Sequence, residues 1–193
     1  MKIRVGIFGG SFDPVHIGHK KQCESYLASG LIDEIWVVPA YVPPHKSLSK
    51  LASYSDRLTM LKLAFINSEG VFVKDIESNL PVPNYTLKTL EFLISTYPDI
   101  DFSLCIGSDS LAEFHTWYEY KRIIGNTQLL VAVRPGVDLS SIDPSILKKS
   151  ILVDHIPIDI SSSEIRKELA RSGTSKGLDD SVLNYIIEHK LYL

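Results

Sequence analysis

Long apolar runs are missing from this sequence of 193 residues. It contains no stretch of about 18 consecutive apolar residues, the length that a membrane-spanning helix needs. The sequence therefore predicts no membrane partner.

Cysteine is scarce, and Cys23 and Cys105 lack the CxxC spacing typical of zinc sites. This favours reduced core thiols in a reducing compartment over a disulfide framework, so we expect a cytoplasmic protein.

An excess of positive charge is also missing. The formal net charge is −3, whereas proteins that hold long nucleic acids carry a basic surface. We therefore expect no nucleic-acid partner. Any phosphate binding must come from a few local, well-aimed groups.

Short β-branched runs alternate along the chain with stretches of helical apolar spacing. Strands are predicted over 3–8, 34–38, 71–74, 102–106, 129–133 and 151–153, and helices over 17–29, 55–66, 86–96, 117–124, 163–172 and 181–189. Gly30 and Gly173 are the predicted stop signals of two helices. Runs such as 129–133 are apolar throughout, which is typical of strands covered by helices on both faces. The pattern predicts an α/β fold with a doubly wound, mostly parallel sheet and a short C-terminal helical segment, in one domain of residues 1–193.

A glycine-rich segment connects the first predicted strand to the first predicted helix. It reads GIFGGSFDPVHIGH from Gly6 to His19, which fits neither G-x-G-x-x-G nor the P-loop pattern. Gly9 and Gly10 remove side-chain bulk, and the start of the following helix offers N–H groups to an anion. Because His16 and His19 are three residues apart, their rings lie on one face and can donate hydrogen bonds to the same phosphate chain.

Two other interpretations of the histidine pair stay open on the residues alone. One histidine could cap the helix while the other is solvated. Both could instead bind zinc, although no carboxylate or thiol stands out nearby as a third ligand. The surrounding glycines and Asp13-Pro14 favour a phosphate site.

A second cluster of candidate phosphate ligands lies at 160–166, which reads ISSSEIR. Hydroxyl and N–H groups at a helix start can hold phosphate oxygens. Arg166, three residues after Ser163, adds a planar fork of donors on the same face. The alternative is an ordinary capping box with a solvated arginine.

Together, GGSFDPVHIGH and ISSSEIR resemble the paired signatures of the HxGH nucleotidyltransferase superfamily, whose fold is Rossmann-like. Six further segments are similar in order and spacing to bacterial nicotinate-nucleotide adenylyltransferases, over essentially the whole chain. They are PPHK at 43–46, S-x-R at 55–57 followed by ML at 60–61, NYT at 84–86, GSDSL at 107–111, TWY at 116–118 and VRPG at 133–136. The resemblance implies transfer of AMP from ATP to nicotinate mononucleotide in NAD biosynthesis, giving nicotinate adenine dinucleotide and pyrophosphate. One departure is Ser162-Ser163 where the family often has Ser-Thr or Ala-Thr, and it keeps the hydroxyl.

The resemblance also implies which residues bind ATP. His16 and His19 would contact its phosphates, with His19 the more important at the reacting α-phosphate. Arg166 would be the third catalytic group, and with Ser161 and Ser163 it would hold the triphosphate from the opposite side. The other implied ATP-binding residues are Gly9, Gly10, Ser11, Phe12, Gly107 and Asp109.

For nicotinate mononucleotide, the resemblance implies Trp117 as the stacking surface for the pyridine ring. The residues implied around its carboxylate are Tyr85, Thr86 and Tyr118. Candidates for contacts with its phosphate are His45, Lys46 and Arg134. On the residues alone, Trp117 could be a core residue, Asp109 a helix cap and Lys46 a solvated loop charge.

The attacking group in the implied reaction is a phosphate that is already ionised, so no catalytic triad or carboxylate dyad is needed. Mg²⁺ should arrive with ATP, and we expect no metal held by the protein itself. Alternatives among enzymes are transfer to nicotinamide mononucleotide or phosphopantetheine, and a tRNA synthetase, against which the early position of the KSLSK run at 46–50 argues. Alternatives from another class are a nucleotide sensor that has lost turnover and an RNA-binding module, against which the acidic balance argues. A homo-oligomer is left open.

Overall fold

The computed structural model describes residues 2–43, 51–133 and 138–193. Within those ranges, one sheet contains six strands, which are β1 (Ile3–Gly10), β2 (Glu34–Pro39), β3 (Val71–Val73), β4 (Ile100–Gly107), β5 (Gln128–Val133) and β6 (Ser150–Asp154). The helices in the same ranges are α1 (Ile17–Ala28), α2 (Tyr54–Phe65), α3 (Thr86–Thr96), α4 (Ser108–Ala112), α5 (Tyr120–Asn126), α6 (Pro144–Leu147), α7 (Ser162–Ser172) and α8 (Asp180–Glu188). No helix in this part of the chain is long and apolar enough to cross a membrane.

The strands lie in the order β3-β2-β1-β4-β5-β6, and every neighbouring pair is parallel. The chain moves outward in one direction from β1 and in the other direction from β4. At such a reversal the connections leave on opposite faces, and a crevice opens at the carboxyl ends of the two central strands. The ends of β1 and β4, at Gly10 and Gly107, therefore mark where a ligand site is expected.

Successive strand residues point to opposite faces of the sheet, and they contribute to two apolar clusters, one on each face. On the first face, Phe8 and Val37 pack with the buried sides of α1, α2, α7 and α8. On the second face, Ile7 and Val38 pack with α3 and α5. The predicted doubly wound parallel sheet is confirmed.

Capping residues account for several helix boundaries. The Ser53 hydroxyl accepts a hydrogen bond from the N–H of Asp56 at the start of α2, and Ser161 accepts one from Glu164 at the start of α7. Gly173, with φ of +69°, ends α7 in the left-handed conformation that suits glycine. These signals are local, and the predictions for these helices are confirmed to within one residue.

All six predicted strands are confirmed, whereas the helix predicted over 117–124 begins three residues later and is α5 (Tyr120–Asn126). Trp117 follows a short 3-10 turn in an extended conformation, and Glu119 adopts a positive φ of 53° before α5 begins at Tyr120. Phe114, Trp117 and Tyr120 are three residues apart, and this spacing imitates a helical face. The short helices α4 and α6 were not predicted, and α1 ends at Ala28, before Gly30.

Cys23 and Cys105 are buried free thiols of the first-face cluster, as predicted. Burial raises the pKa of both thiols, so neither is poised as a thiolate.

Candidate active site

A cavity of about 640 Å³ lies at the carboxyl ends of β1 and β4. Gly9 and Gly10 at the end of β1 line it, as do Ser11 and Phe12 just after the strand, and we call residues 9–16 the glycine loop. Phe12 has a positive φ of 49°, and its ring folds back over Gly10. A Cβ on Gly10 would lie 2.9 Å from that ring, so a larger residue at this position would require the Phe12 ring to move. The backbone can therefore approach a ligand closely at this point.

His16 and His19 both line this cavity at the start of α1. Their ring centroids are 3.7 Å apart, and the backbone N–H of His16 donates to Nδ1 of His19 over 3.2 Å. Since Nδ1 accepts, Nε2 is the nitrogen of neutral His19 that carries the proton. The histidine at position 19 thus caps the helix and faces the cavity at once, so these two interpretations are compatible.

Gly18 makes room for this arrangement. A Cβ at this position would lie 3.0 Å from the His16 ring and 3.0 Å from Ile160, which precedes α7. The absent side chain lets His16, only 8% exposed, lie flat between α1 and the approach to α7.

The start of α7 reaches the same cavity from another side. Ser161, Ser163 and Arg166 line it. Arg166 donates through Nη1 to the carbonyl of Asp13, at 2.6 Å, and through Nη2 to Ser163 Oγ, at 3.2 Å. Ser162 also lines the cavity, and its hydroxyl donates to the Pro14 carbonyl. The two predicted phosphate clusters, 148 residues apart at that contact, are therefore neighbours in space.

Gly107 and Asp109 lie where β4 passes into α4, and both line the cavity. Gly107 occupies the N-cap position, and a Cβ there would lie 3.2 Å from the Gln22 amide nitrogen. Asp109 is an exposed residue of the first turn of α4. The N-cap residue of α4 is therefore Gly107, and Asp109 does not occupy the cap position that one interpretation of the sequence gave it.

The far end of the cavity is aromatic. Tyr85, Thr86, Trp117 and Tyr118 line it. The rings of Tyr85 and Tyr118 stack with centroids 4.5 Å apart, and Trp117 packs on buried Phe114 at 5.0 Å. Trp117 is half-buried: one part of its side chain packs against the second-face cluster, and the residue also lines the cavity. The predicted contacts His45, Lys46 and Arg134 lie outside the described residues.

Two buried polar residues beside the aromatic end, Glu77 and Asn84, were not among the predicted site residues, although Asn84 belongs to the NYT segment. Glu77 is 7% exposed, and its carboxylate accepts hydrogen bonds from the Thr89 hydroxyl and the Tyr41 N–H. Burial raises the pKa of Glu77. Asn84 accepts from the Val42 N–H and donates to the Glu77 carbonyl, so it ties two loops together. Nothing in the local sequence distinguishes Glu77 from a surface glutamate.

Gln22 and His155 also line the cavity and were not predicted. His155 follows β6, and its Nδ1 lies 3.0 Å from the Ser25 hydroxyl. Its position just after a strand is a signal that could have indicated it, because ligands of such sheets bind at the carboxyl ends of strands.

A buried arginine supports the glycine loop from below. Arg57, on α2, is 1% exposed and donates to the carbonyls of Ser11, Ala52 and Tyr41 over 2.8, 3.2 and 3.4 Å. Burial lowers the pKa of its guanidinium, while the nearby Asp13 raises it. The loop carbonyls are thereby held in place by a charged donor.

In the described part of the chain, no three His, Cys, Asp or Glu side chains cluster as a metal site would require. The convergent groups are donors: N–H groups of the loop and helix starts, imidazoles, hydroxyls and a guanidinium. Such a set suits a polyphosphate.

Comparisons with known proteins fit this geometry. Residues 7–168 match the family model described as cytidylyltransferase-like. A relative from Synechococcus sp. (strain JA-3-3Ab), named probable nicotinate-nucleotide adenylyltransferase, is 34% identical over 98% of this chain and 95% of its own. The solved Plasmodium falciparum nicotinic acid mononucleotide adenylyltransferase complexed with NaAD is similar over 98% of this chain and 97% of its own, with a TM-score of 0.83 and 28% identity. The same enzyme complexed with APC gives a TM-score of 0.79 and 26% identity over 100% of this chain and 98% of its own.

Proposed function

The chain belongs to the cytidylyltransferase-like family and, within it, to the nicotinate-nucleotide adenylyltransferases, and we propose that it transfers AMP from ATP to nicotinate mononucleotide. The products are nicotinate adenine dinucleotide and pyrophosphate, and the reaction belongs to NAD biosynthesis. The enzyme class follows from curated relatives that match nearly the whole chain.

One observation carries the proposal. A single cavity joins a cluster of phosphate donors at one end to a pair of stacked tyrosines and a tryptophan at the other. Its volume is within the range of about 300–1,000 Å³ typical of small-molecule sites. A dinucleotide, with its phosphates in the middle and a pyridine ring at one end, matches this distribution of charge and aromatic surface.

The reaction we propose is an in-line displacement at the α-phosphorus of Mg-ATP. A phosphate oxygen of nicotinate mononucleotide forms the new P–O bond while the bond to the bridging oxygen of pyrophosphate breaks. The nucleophile is already ionised, so the protein needs to position the groups and to stabilise charge that grows on the leaving oxygens.

Each donor at the phosphate end has a proposed role in that step. His19 would donate from Nε2 to the α-phosphate, and His16 would support it on the same face. Arg166, with Ser161 and Ser163, would bind the departing pyrophosphate. The other residues proposed to contact ATP are Gly9, Gly10, Ser11, Phe12, Gly107 and Asp109, the last two at its ribose and adenine. Mg²⁺ is proposed to enter as part of the Mg-ATP substrate, keeping several waters.

At the acceptor end, Trp117 would stack on the pyridine ring. Tyr85 and Thr86 begin α3, and the first-turn N–H groups of a helix favour a carboxylate because they are donors with no intrahelical partner. Tyr118 would complete this contact. An amide group would bring its own donors against them, which supports the acid over nicotinamide mononucleotide. His45, Lys46 and Arg134 are kept as proposed contacts of the acceptor phosphate.

We further propose that residues 1–193 act as one domain, because the strands on both sides of the reversal contribute walls to the same cavity. A cytoplasmic location is proposed from the two buried free cysteines.

The proposed function is tested by measuring pyrophosphate release from Mg-ATP with nicotinate mononucleotide, nicotinamide mononucleotide or phosphopantetheine as acceptor. We expect strong preference for the first. Preference for the amide would refute the assignment of the carboxylate contacts. Release with none of the three, from a protein that still binds Mg-ATP, would refute the transferase assignment.

A further inference from the structure

A buried carboxylate lies beneath the phosphate end of the site. Asp13, in the glycine loop, is 1% exposed. Its Oδ1 accepts two hydrogen bonds, from the Tyr192 hydroxyl at 2.6 Å and from the Ala52 N–H at 3.0 Å. Its Oδ2 lies 3.6 Å from Nη1 of Arg166, beyond hydrogen-bond distance.

Tyr192 reaches Asp13 from a distant part of the chain. It follows α8 in a segment where two residues other than glycine, Lys190 and Tyr192, have positive φ values of 52° and 62°. Such conformations are costly for side chains of this size and persist where surrounding contacts impose them. Here Leu191 and Tyr192 pack against the first-face core, and the Leu191 N–H donates to the Ile186 carbonyl. The ring of Tyr192 is thus anchored with its hydroxyl on the carboxylate.

The chemistry of this contact makes the tyrosine a permanent donor. Burial and the hydrogen bond to Asp13 raise the pKa of Tyr192 well above its usual value. The hydroxyl therefore stays protonated at physiological pH and continues to donate to the carboxylate.

Asp13 lies beside Arg166 with both its main-chain carbonyl and its carboxylate. Nη1 of Arg166 donates to the main-chain carbonyl of Asp13, and the carboxylate of the same residue is only 3.6 Å away. A carboxylate that rotated slightly would form a close ion pair with this guanidinium and withdraw its donors from a phosphate. Two donors on Oδ1, from Tyr192 and Ala52, oppose that rotation.

We infer that Tyr192 is a positioning residue for adenylyl transfer: it holds the Asp13 carboxylate off Arg166, so that the guanidinium stays directed at the triphosphate. This inference rests on the proposed function, because it takes Arg166 as a phosphate contact. Tyr192 itself touches no reacting group and does not line the cavity.

The test compares Tyr192→Phe with Tyr185→Phe. Tyr185 lies on α8 and donates its hydroxyl to Asp56 on α2 over 2.9 Å, so this control also loses one tyrosine–carboxylate hydrogen bond from the same region. The dissociation constant for Mg-ATP is measured by calorimetry without acceptor. kcat and KM are measured for both substrates, and Tm for each protein.

For Tyr192→Phe we expect about a tenfold loss of affinity for Mg-ATP and of kcat/KM for Mg-ATP, with KM for the mononucleotide changed less than about twofold. Tyr185→Phe should match wild type in all of these. Equal Mg-ATP affinity for Tyr192→Phe and wild type would overturn the inference. That readout needs no acceptor, so it separates this failure from a failure of the proposed transfer.

A double-mutant cycle tests whether Tyr192 acts through Arg166. In an Arg166→Ala background, Tyr192→Phe should weaken Mg-ATP binding by less than about twofold, because the group that it positions is gone. A full tenfold loss in that background would show an independent, merely structural effect and would also overturn the inference.

Discussion

Replacement of His19 separates the capping contact that its imidazole makes in the structure from the catalytic role that we propose for the same ring. Its Nδ1 accepts a hydrogen bond from the backbone N–H of His16 and so caps α1. Its Nε2–H is the group that we propose donates a hydrogen bond to the α-phosphate. An asparagine oxygen lies as many bonds from Cα as Nδ1, and a glutamine amide nitrogen lies as many bonds from Cα as Nε2. His19→Asn therefore keeps the capping acceptor, and His19→Gln keeps the donor.

The two roles differ in the free energy that their loss should cost and in the quantity that it affects. Loss of one donor to charge that develops in the transition state costs about 3 kcal/mol, or a rate loss on the order of a few hundredfold. Loss of a helix cap costs about 1 kcal/mol of folding stability. His19→Ala should show both losses. His19→Asn should show the full loss of kcat with near-normal stability, and His19→Gln should keep more activity than either while losing the cap.

The assay is pyrophosphate release at saturating Mg-ATP and nicotinate mononucleotide, paired with urea unfolding of each variant. Near-normal kcat for His19→Asn would refute the donor role. Stability losses that track the rate losses across all three variants would refute the separation of roles, since activity would then follow folding alone.

Two further perturbations test the surroundings of the site. Arg57→Met should lower the free energy of unfolding by about 3 kcal/mol, because it leaves three loop carbonyls without their buried charged donor. The control is Arg122→Met, which removes an exposed surface ion pair and should cost less than about 1 kcal/mol in the same urea titration. Similar losses for both would contradict the supporting role of Arg57. Trp117→Ala should raise KM for the mononucleotide about tenfold and leave KM for Mg-ATP unchanged, with Trp117→Phe nearer to wild type; an equal rise in both KM values would count against stacking.

The framework of the fold could be predicted because its signals are local. A run such as 129–133 is apolar without a break, and this marks a strand covered on both faces whatever surrounds it. Trp117 was misplaced for a related reason. The spacing of Phe114, Trp117 and Tyr120 is also local, but Glu119 takes a left-handed conformation there, and the helix starts three residues late.

The candidate site also contains residues that local spacing can predict and residues that only the folded chain brings together. His16 and His19 lie in one contiguous segment, so their shared face could be derived from spacing. The S-x-R segment at 55–57 includes Arg57, but neither its burial nor the contact made by Tyr192 could be derived from spacing. An arginine in an amphipathic helix is usually a surface residue, and only the folded chain brings Tyr192 to a carboxylate 179 residues earlier.

The helices that carry the proposed phosphate contacts and the proposed pyridine contacts rest on different faces of the sheet. α1 and α7, which present the phosphate donors, pack in the cluster on the first face, whereas α3 and the turn that holds Trp117 pack in the cluster on the second. The residues proposed to contact the pyridine ring therefore rest on a different core from the histidines and Arg166 proposed to carry the chemistry. An engineered enzyme for another phosphorylated acceptor is best sought by substitutions around α3 and Trp117, with the histidines and Arg166 untouched.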